Sequence, residues 1–113
     1  MSLTSSERAA RMVIRRADEL NGDYYSILTP AAEALAGRHP LAATLILRAM
    51  IDFALEKARS SRYRHAARHL LDCAGLAAAI EDFGDIAPHD AYVGKLKQTH
   101  GRKHSFWSAV DQA

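Results

Sequence analysis

The segment from Pro40 to Ala58 carries apolar side chains around most of its predicted helical circumference, with no glycine and no internal proline. Such a pattern predicts a long α-helix. The polar residues Arg48, Asp52 and Glu56 interrupt it as one narrow stripe at four-residue spacing, and Lys57 stands apart from that stripe. Because a helix that is apolar on most sides must be packed on most sides, we expect it at the centre of the fold.

The composition favours an all-α fold around this helix. The chain has 113 residues, 49% of them hydrophobic, which is enough for one small domain with a single core. Alanine dominates this hydrophobic share, and alanine loses no side-chain entropy on entering a helix. No strand-like alternation is present. We therefore predict a single all-helical domain over residues 1–113, and we expect it to be a C-terminal fragment of a longer protein.

Turn and capping residues divide the chain into five or six predicted helices. Pro30 either kinks the second helix or starts a shorter one that Thr29 caps. The last predicted helix, in the run KHSFWSAV, is expected to pack Phe106, Trp107 and Val110 against the body of the domain. The predicted helices cover residues 3–20, 23–36, 40–58, 62–80, 89–100 and 103–110.

The first predicted helix is amphipathic. We expect Ser5 or Ser6 to cap its N-terminus. Its arginines, Arg8, Arg11, Arg15 and Arg16, are expected to lie on the side facing away from the core. The stripe predicted to be buried consists of Ala9, Met12, Val13, Ala17 and Leu20.

The run RYRHAARHL, residues 62–70, resembles the second helix of a tetratricopeptide-type repeat. It has Tyr63, then Ala66 or Ala67, then Leu70, which provides small residues where two helices cross closely and a large apolar residue one turn later. Only about one repeat's worth of the chain matches. The resemblance implies antiparallel helical hairpins stacked as a short right-handed array.

Two longer runs resemble the C-terminal helical region of an uncharacterised bacterial protein family. They are HPLAATLILRAMIDFALEKARSSRYRHAARHL, residues 39–70, and HDAYVGKLKQTHGRKHSFW, residues 89–107. A related layout occurs downstream of SWIM zinc-finger domains. The resemblance implies a helical-repeat fold in a bacterial cytoplasm and implies no activity and no cofactor. The zinc ligands of SWIM domains have no counterpart here, because the chain has one cysteine.

Three residues of zinc-ligating type, His65, His69 and Cys73, follow one another at helical spacing of four. On a helix the first and last of them are about 12 Å apart along the axis, so one ion cannot bind all three. His65 is expected to point outward with Arg68 and Asp72, whereas Cys73 turns toward the apolar face. We predict no metal site, with His65 and His69 as the one pair to test against a solvated or interface face.

The stripe of Arg48, Asp52 and Glu56 has two interpretations. Arg48 and Asp52 are four residues apart and can pair with each other inside the fold. Alternatively, the stripe lines the concave side of the helical array and contacts a protein or peptide partner. Partner binding at these three residues is the predicted function.

A basic C-terminal segment provides the alternative function. Lys95, Lys97, Arg102 and Lys103, near Trp107, have the mixture of cations and aromatic rings found on anion-binding and nucleic-acid-binding surfaces. The net charge of +2 is too small to predict nucleic-acid binding for the chain as a whole. Nucleic acid therefore remains the second class of partner.

No motif indicates catalysis. The chain lacks a glycine-rich phosphate loop and a nucleophile elbow, and Cys73 is interpreted as an inert core thiol. We therefore predict that the protein is not an enzyme and uses no cofactor. A single cysteine and the lack of a long apolar run fit a cytoplasmic protein that does not enter a membrane. The expected partner is a protein, a peptide or the rest of a longer chain, and a homodimer is also expected.

Overall fold

The computed structural model describes residues 4–112, which form six α-helices and two 3₁₀ turns and contain no strand. The all-α prediction is confirmed. Position 3, the predicted start of the first helix, lies outside the described residues. The helices are α1 (Ser5–Arg15), α2 (Tyr25–Ala36), α3 (Pro40–Glu56), α4 (Tyr63–Ala77), α5 (His89–His100) and α6 (His104–Gln112), and the 3₁₀ turns are Ala17–Glu19 and Ser60–Arg62.

Helix α3 lies at the centre of the fold, as its apolar circumference predicts. It contacts α1, α2 and α4, and most of its side chains are buried. Short connections join α3 to α2 and to α4, so both neighbours run antiparallel to it. One hydrogen bond joins α2 to α3: the Oγ1 of Thr29 donates to the Sδ of Met50 over 3.5 Å.

Helix α1 differs from its sequence prediction at both its cap and its buried side. Thr4 caps it, because its Oγ1 accepts a hydrogen bond from the backbone N–H of Glu7 at 3.1 Å, so the predicted Ser5 or Ser6 cap is wrong. Its buried residue is Ala10, whereas Ala9 and Met12 are exposed. Because α1 packs mainly against α3, only a narrow arc of its surface is covered.

Pro30 lies inside α2, so the alternative of a shorter helix capped by Thr29 is wrong. A proline in this position has no N–H to donate to the carbonyl one turn earlier, at Ser26. Both Ser26 and Pro30 are exposed. Water can therefore reach this part of the helix, and α2 continues through the proline.

Helix α6 closes the domain against α4. Phe106 is fully buried and makes edge contacts with the rings of Tyr63 at 6.1 Å and Trp107 at 4.9 Å, measured between ring centroids. The indole Nε1 of Trp107 donates a 3.0 Å hydrogen bond to the carbonyl of His100. Trp107 and Val110 are half-buried, so the predicted packing of this segment is confirmed. Across residues 4–112, no helix is long and apolar enough to span a membrane.

Candidate functional site

Arg48 and Asp52, two members of the predicted stripe, meet α5 in a polar cluster within the fold. The hydroxyl of Tyr92 donates a hydrogen bond of 2.7 Å to the Oδ1 of Asp52. The guanidinium carbon of Arg48 lies 4.3 Å from the centroid of the same tyrosine ring and 6.0 Å from that of Phe83. Tyr92 therefore contacts both charged residues.

This arrangement covers the surface on which partner binding was predicted. Arg48 is only 7% exposed, Asp52 is half-buried and Glu56 is exposed. Residues of α5 and of the segment before it occupy the space beside Arg48, so the stripe does not line an open groove there. The predicted pairing of Arg48 with Asp52 is also absent, since the described residues contain no ion pair between them within 4.0 Å.

Burial shifts the ionisation of this cluster. Desolvation raises the pKa of Asp52, although the hydrogen bond from Tyr92 acts in the opposite direction. Desolvation also lowers the pKa of Arg48 and raises the pKa of Tyr92. The same cause raises the pKa of the neighbouring Cys73 thiol to about 12, so this cysteine is a thiol and a poor nucleophile at neutral pH.

Replacing Asp52 by asparagine is expected to remove a pH dependence of stability. Because the pKa of Asp52 is raised, the folded chain binds this proton more tightly than the unfolded chain. Ionisation of Asp52 therefore lowers the free energy of unfolding as the pH rises from its unfolded-state pKa through its folded-state pKa. Asp52→Asn retains an oxygen acceptor for Tyr92 and cannot ionise. In urea denaturation its free energy of unfolding should rise, relative to the wild type, as the pH increases from below the ordinary pKa of aspartate through the raised pKa of Asp52.

The exposed Asp18 provides the control for this comparison. Asp18→Asn removes the same formal charge without touching the cluster. If the stability difference between Asp52→Asn and the wild type is constant with pH, or falls as pH rises, the proposed cost of ionising Asp52 is wrong.

A second candidate site is an opening on the surface between α2 and α4. Two adjoining cavities, of about 520 and 750 Å³, share Thr29, His65 and His69 as lining residues. Met50 and Leu47 of α3 lie at the floor of these cavities. We call this opening the α2–α4 groove. Its other lining residues are Gly22, Tyr25, Ser26, Pro30, Ala32, Glu33, Ala36, Ala54, Ser61, Arg62, Ala66, Arg68, Leu71, Asp72, Gly75 and Leu76.

His65 and His69, the pair to be tested against the prediction of no metal site, both line this groove. His65 is exposed and His69 is half-buried, and the Nδ1 of His69 is buried without a hydrogen-bond partner. Desolvation lowers the pKa of His69, which keeps its imidazole neutral at pH 7. Cys73 is buried, as its position on the predicted apolar face requires. It lies next to Arg48. Within residues 4–112, no three His, Cys, Asp or Glu side chains are placed to hold a metal ion.

The structure brings together three of the four predicted anion-binding residues. Lys97, Arg102 and Lys103 line a shallow basin at the turn between α5 and α6. The Nζ of Lys97 lies 5.6 Å from the ring centroid of Trp107, and that of Lys103 lies 5.9 Å from Tyr63. Lys95 is two residues before Lys97 and therefore about 200° around the helix from it, away from the basin.

The sequence did not predict two features of the site. The α2–α4 groove depends on the separation of two helices that are distant in the chain, and no local pattern reports that separation. Tyr92 lies in the fifth predicted helix, residues 89–100, and the sequence pattern gave it no role in the site. Its hydroxyl is a weak indication of a polar partner, because a buried tyrosine usually has one.

The family comparison covers almost the whole chain. Residues 1–109 match a family described as a family of unknown function, DUF6880. No curated protein and no solved structure matches the chain significantly. The chain therefore belongs to DUF6880, a family of unknown function.

Proposed function

We propose that this domain is a non-catalytic interaction module that binds an amphipathic helical segment of a protein partner in the α2–α4 groove. The observation that carries the proposal is the continuity of two cavities along the same pair of helices. This assignment moves the predicted partner-binding surface away from Arg48, Asp52 and Glu56, since α5 covers the first two of them.

The shape of the groove favours a helix as its occupant. Helices α2 and α4 both run antiparallel to α3, so they are parallel to each other and form two walls above an α3 floor. The lining residues of α4 extend from His65 to Leu76, which is about 16 Å of helix, and Ser61 and Arg62 extend the wall further. A helix of about fourteen residues would lie along this length and place apolar side chains on the floor.

The charges on the walls indicate how the partner would be recognised. Arg62 pairs with Asp23 at 2.8 Å, and Arg68 lies 3.8 Å from Asp72. These two arginines already have partners, and Glu33 is a charged lining residue with no ion pair among the described residues. The groove therefore favours apolar anchors with few charges over a strongly charged peptide. One hydroxyl or amide of the partner could satisfy the Nδ1 of His69, which has no partner within the described chain.

The tetratricopeptide-like character of the domain and its bacterial cytoplasmic setting are part of this proposal. The hairpin of α3 and α4 supports the first, because Tyr63, Ala66, Ala67 and Leu70 are all buried, as the repeat-like spacing requires. The buried free thiol of Cys73 is compatible with a reducing compartment and thus supports the second.

A peptide-binding experiment with a matched pair of variants tests the groove. The probe is a displayed library of amphipathic helices of about fourteen residues, followed by fluorescence anisotropy with the tightest selected peptide. Ser26→Trp places a large side chain at the mouth of the groove, where it should weaken binding by about tenfold or more. Ala34→Trp is the control, because Ala34 is exposed on the same helix outside the groove.

Each outcome of this experiment is decisive. Selective loss of affinity in Ser26→Trp, with unchanged affinity in Ala34→Trp, supports the groove. Equal affinity in both variants, or a library that yields no binder, contradicts it. Circular dichroism of each variant establishes that the fold is retained.

Anion or nucleic-acid binding is the second candidate function, and the convergence of Lys97, Arg102 and Lys103 on one basin favours it. Titration with mixed-sequence DNA and RNA at low salt separates the two candidates, because phosphate contacts weaken steeply as salt rises. Binding that is lost in the triple alanine variant of these residues and unchanged in Ser26→Trp would assign the nucleic-acid function to the basin.

A further inference from the structure

Helix α1 presents an unpartnered basic face. Arg8, Arg11 and Arg15 recur at spacings of three and four residues, so they lie on one side of the helix, and all three are exposed. Met12 lies among them and is 60% exposed, while Ile14 at the edge of the face is 47% exposed. The face therefore combines cations with uncovered apolar surface.

A cavity of about 430 Å³ lies beside this face, between α1 and the residue before α3. Arg11, Ile14, Arg15 and His39 line it, together with Ala10 and with Glu7 at one end. Two guanidinium groups next to an apolar side chain are suited to a carboxylate whose neighbour in the chain is apolar.

The same chain carries a segment of that chemistry between α4 and α5. Glu81, Asp82, Asp85 and Asp90 are all exposed within ten residues, and apolar residues lie between Asp82 and Asp85 and between Asp85 and Asp90. Asp85, for example, directly precedes the half-buried Ile86. This acidic segment and the α1 face have opposite charge, and each also contains apolar side chains.

Neither surface is neutralised within one molecule. The ion pairs among residues 4–112 are Arg16–Glu19, Arg62–Asp23 and Arg68–Asp72, and none of them involves the three arginines of the face or the acidic segment. Two complementary charged surfaces that do not pair within a chain can pair between chains.

We infer that the basic face of α1 docks on the acidic segment, residues 81–90, of a second copy of this chain. A nucleic acid or an anionic membrane is a poorer occupant of the face. Glu7 precedes the arginines and Asp18 and Glu19 follow them, so the positive stripe is only about 10 Å long and acidic at both ends. Exposed ion pairs are individually weak, so the association is weak and sensitive to salt.

Sedimentation velocity over a concentration series measures this association. At about 50 mM salt the wild-type chain should pass from monomer to larger species as its concentration rises, and about 500 mM salt should weaken the association roughly tenfold. The variant R8E/R11E/R15E and the variant E81K/D85K should each remain monomeric. Asp82 is left unchanged because its Oδ1 accepts a hydrogen bond from the N–H of Gly84.

An equimolar mixture of the two charge-reversed variants provides the decisive measurement. The reversed charges are again complementary, so the mixture should associate although each variant alone does not. K57E/R59E/R64E is the matched control: it makes the same change in net charge as R8E/R11E/R15E at exposed basic residues outside the face and should associate like the wild type.

Several results would overturn the inference. These are a wild-type chain that stays monomeric at low salt, association that survives reversal of the α1 arginines, or a mixture of folded reversed variants that does not associate. Circular dichroism establishes folding of each variant. A monomeric wild type that binds a polyglutamate peptide through α1 would instead assign the face to a foreign acidic protein.

Discussion

Gly22→Ala is expected to lower the free energy of unfolding by about 3 kcal/mol, at the upper end of the cost of overpacking. Gly22 lies between the first 3₁₀ turn and α2, where the chain passes directly over α3. A Cβ atom at this position would overlap the backbone carbonyl oxygen of Ala49 and would lie 2.6 Å from the Cβ of Phe53. Neither group is the flexible end of a side chain, so relief requires the segment before α2 to move away from α3.

Gly94→Ala is the matched control for this substitution. Gly94 is exposed within α5, and a Cβ there would meet nothing within 4 Å. Alanine in a helix interior is favoured over glycine by about 0.5–1 kcal/mol, so this variant should be slightly more stable than the wild type. Urea denaturation followed by circular dichroism gives both values. Equal effects of the two substitutions would show that the chain at Gly22 does not approach α3 closely.

Phe106→Ala is expected to cost about 4 kcal/mol, within the range for removal of a buried aromatic ring. Phe106 is 0% exposed and lies between the rings of Tyr63 and Trp107. Its loss would leave a cavity where α6 meets α4 and would also remove two edge-to-face contacts. For a small domain this is a large share of the whole stability, which is typically about 5–15 kcal/mol.

Two further variants make the Phe106 prediction specific. Phe106→Leu retains most of the volume and should cost less than about 1.5 kcal/mol. Ile27→Ala removes a side chain that is 68% exposed, so it should change stability by less than about 0.5 kcal/mol. Fluorescence of Trp107 during urea denaturation reports the transition next to the site of change. If Phe106→Ala lowers the free energy of unfolding no more than Ile27→Ala does, then α6 is not an integral part of the core.

The packing of α6 also affects the second candidate function. The Nζ atoms of Lys97 and Lys103 lie over the rings of Trp107 and Tyr63, which Phe106 holds in place. A loosened α6 would therefore separate the cations that the α5–α6 turn gathers. Loss of anion binding in Phe106→Ala would follow from this displacement rather than from any contact of the phenylalanine with an anion.

The central position of α3 was predictable because its pattern allows no other arrangement. A helix with apolar residues on most of its circumference is stable in water only when other elements surround it. Buried Tyr63, Ala66, Ala67 and Leu70 were predictable for a related reason, since their helical spacing places them on one face. Both predictions depend on residues close together in the chain.

The stripe on α3 shows where local spacing stops being informative. Four-residue spacing places Arg48 and Asp52 on one side of the helix, and the sequence therefore allowed either a pair between them or contact with a partner. In the folded chain both instead contact Tyr92, which is 40 residues beyond Asp52. A contact between residues so far apart depends on how α5 is packed, and no pattern within either helix specifies that packing.

The amino-acid sequence by itself determined the helical class, the central helix and the face that α4 buries, because periodicity and propensity act over a few turns of chain. Only the tertiary structure decided which part of α1 is covered, which residue satisfies Asp52, and that α2 and α4 stand apart to leave a groove. These outcomes depend on the distances between whole helices. Such distances come from the packing of side chains that are remote in sequence and meet only when the chain is folded.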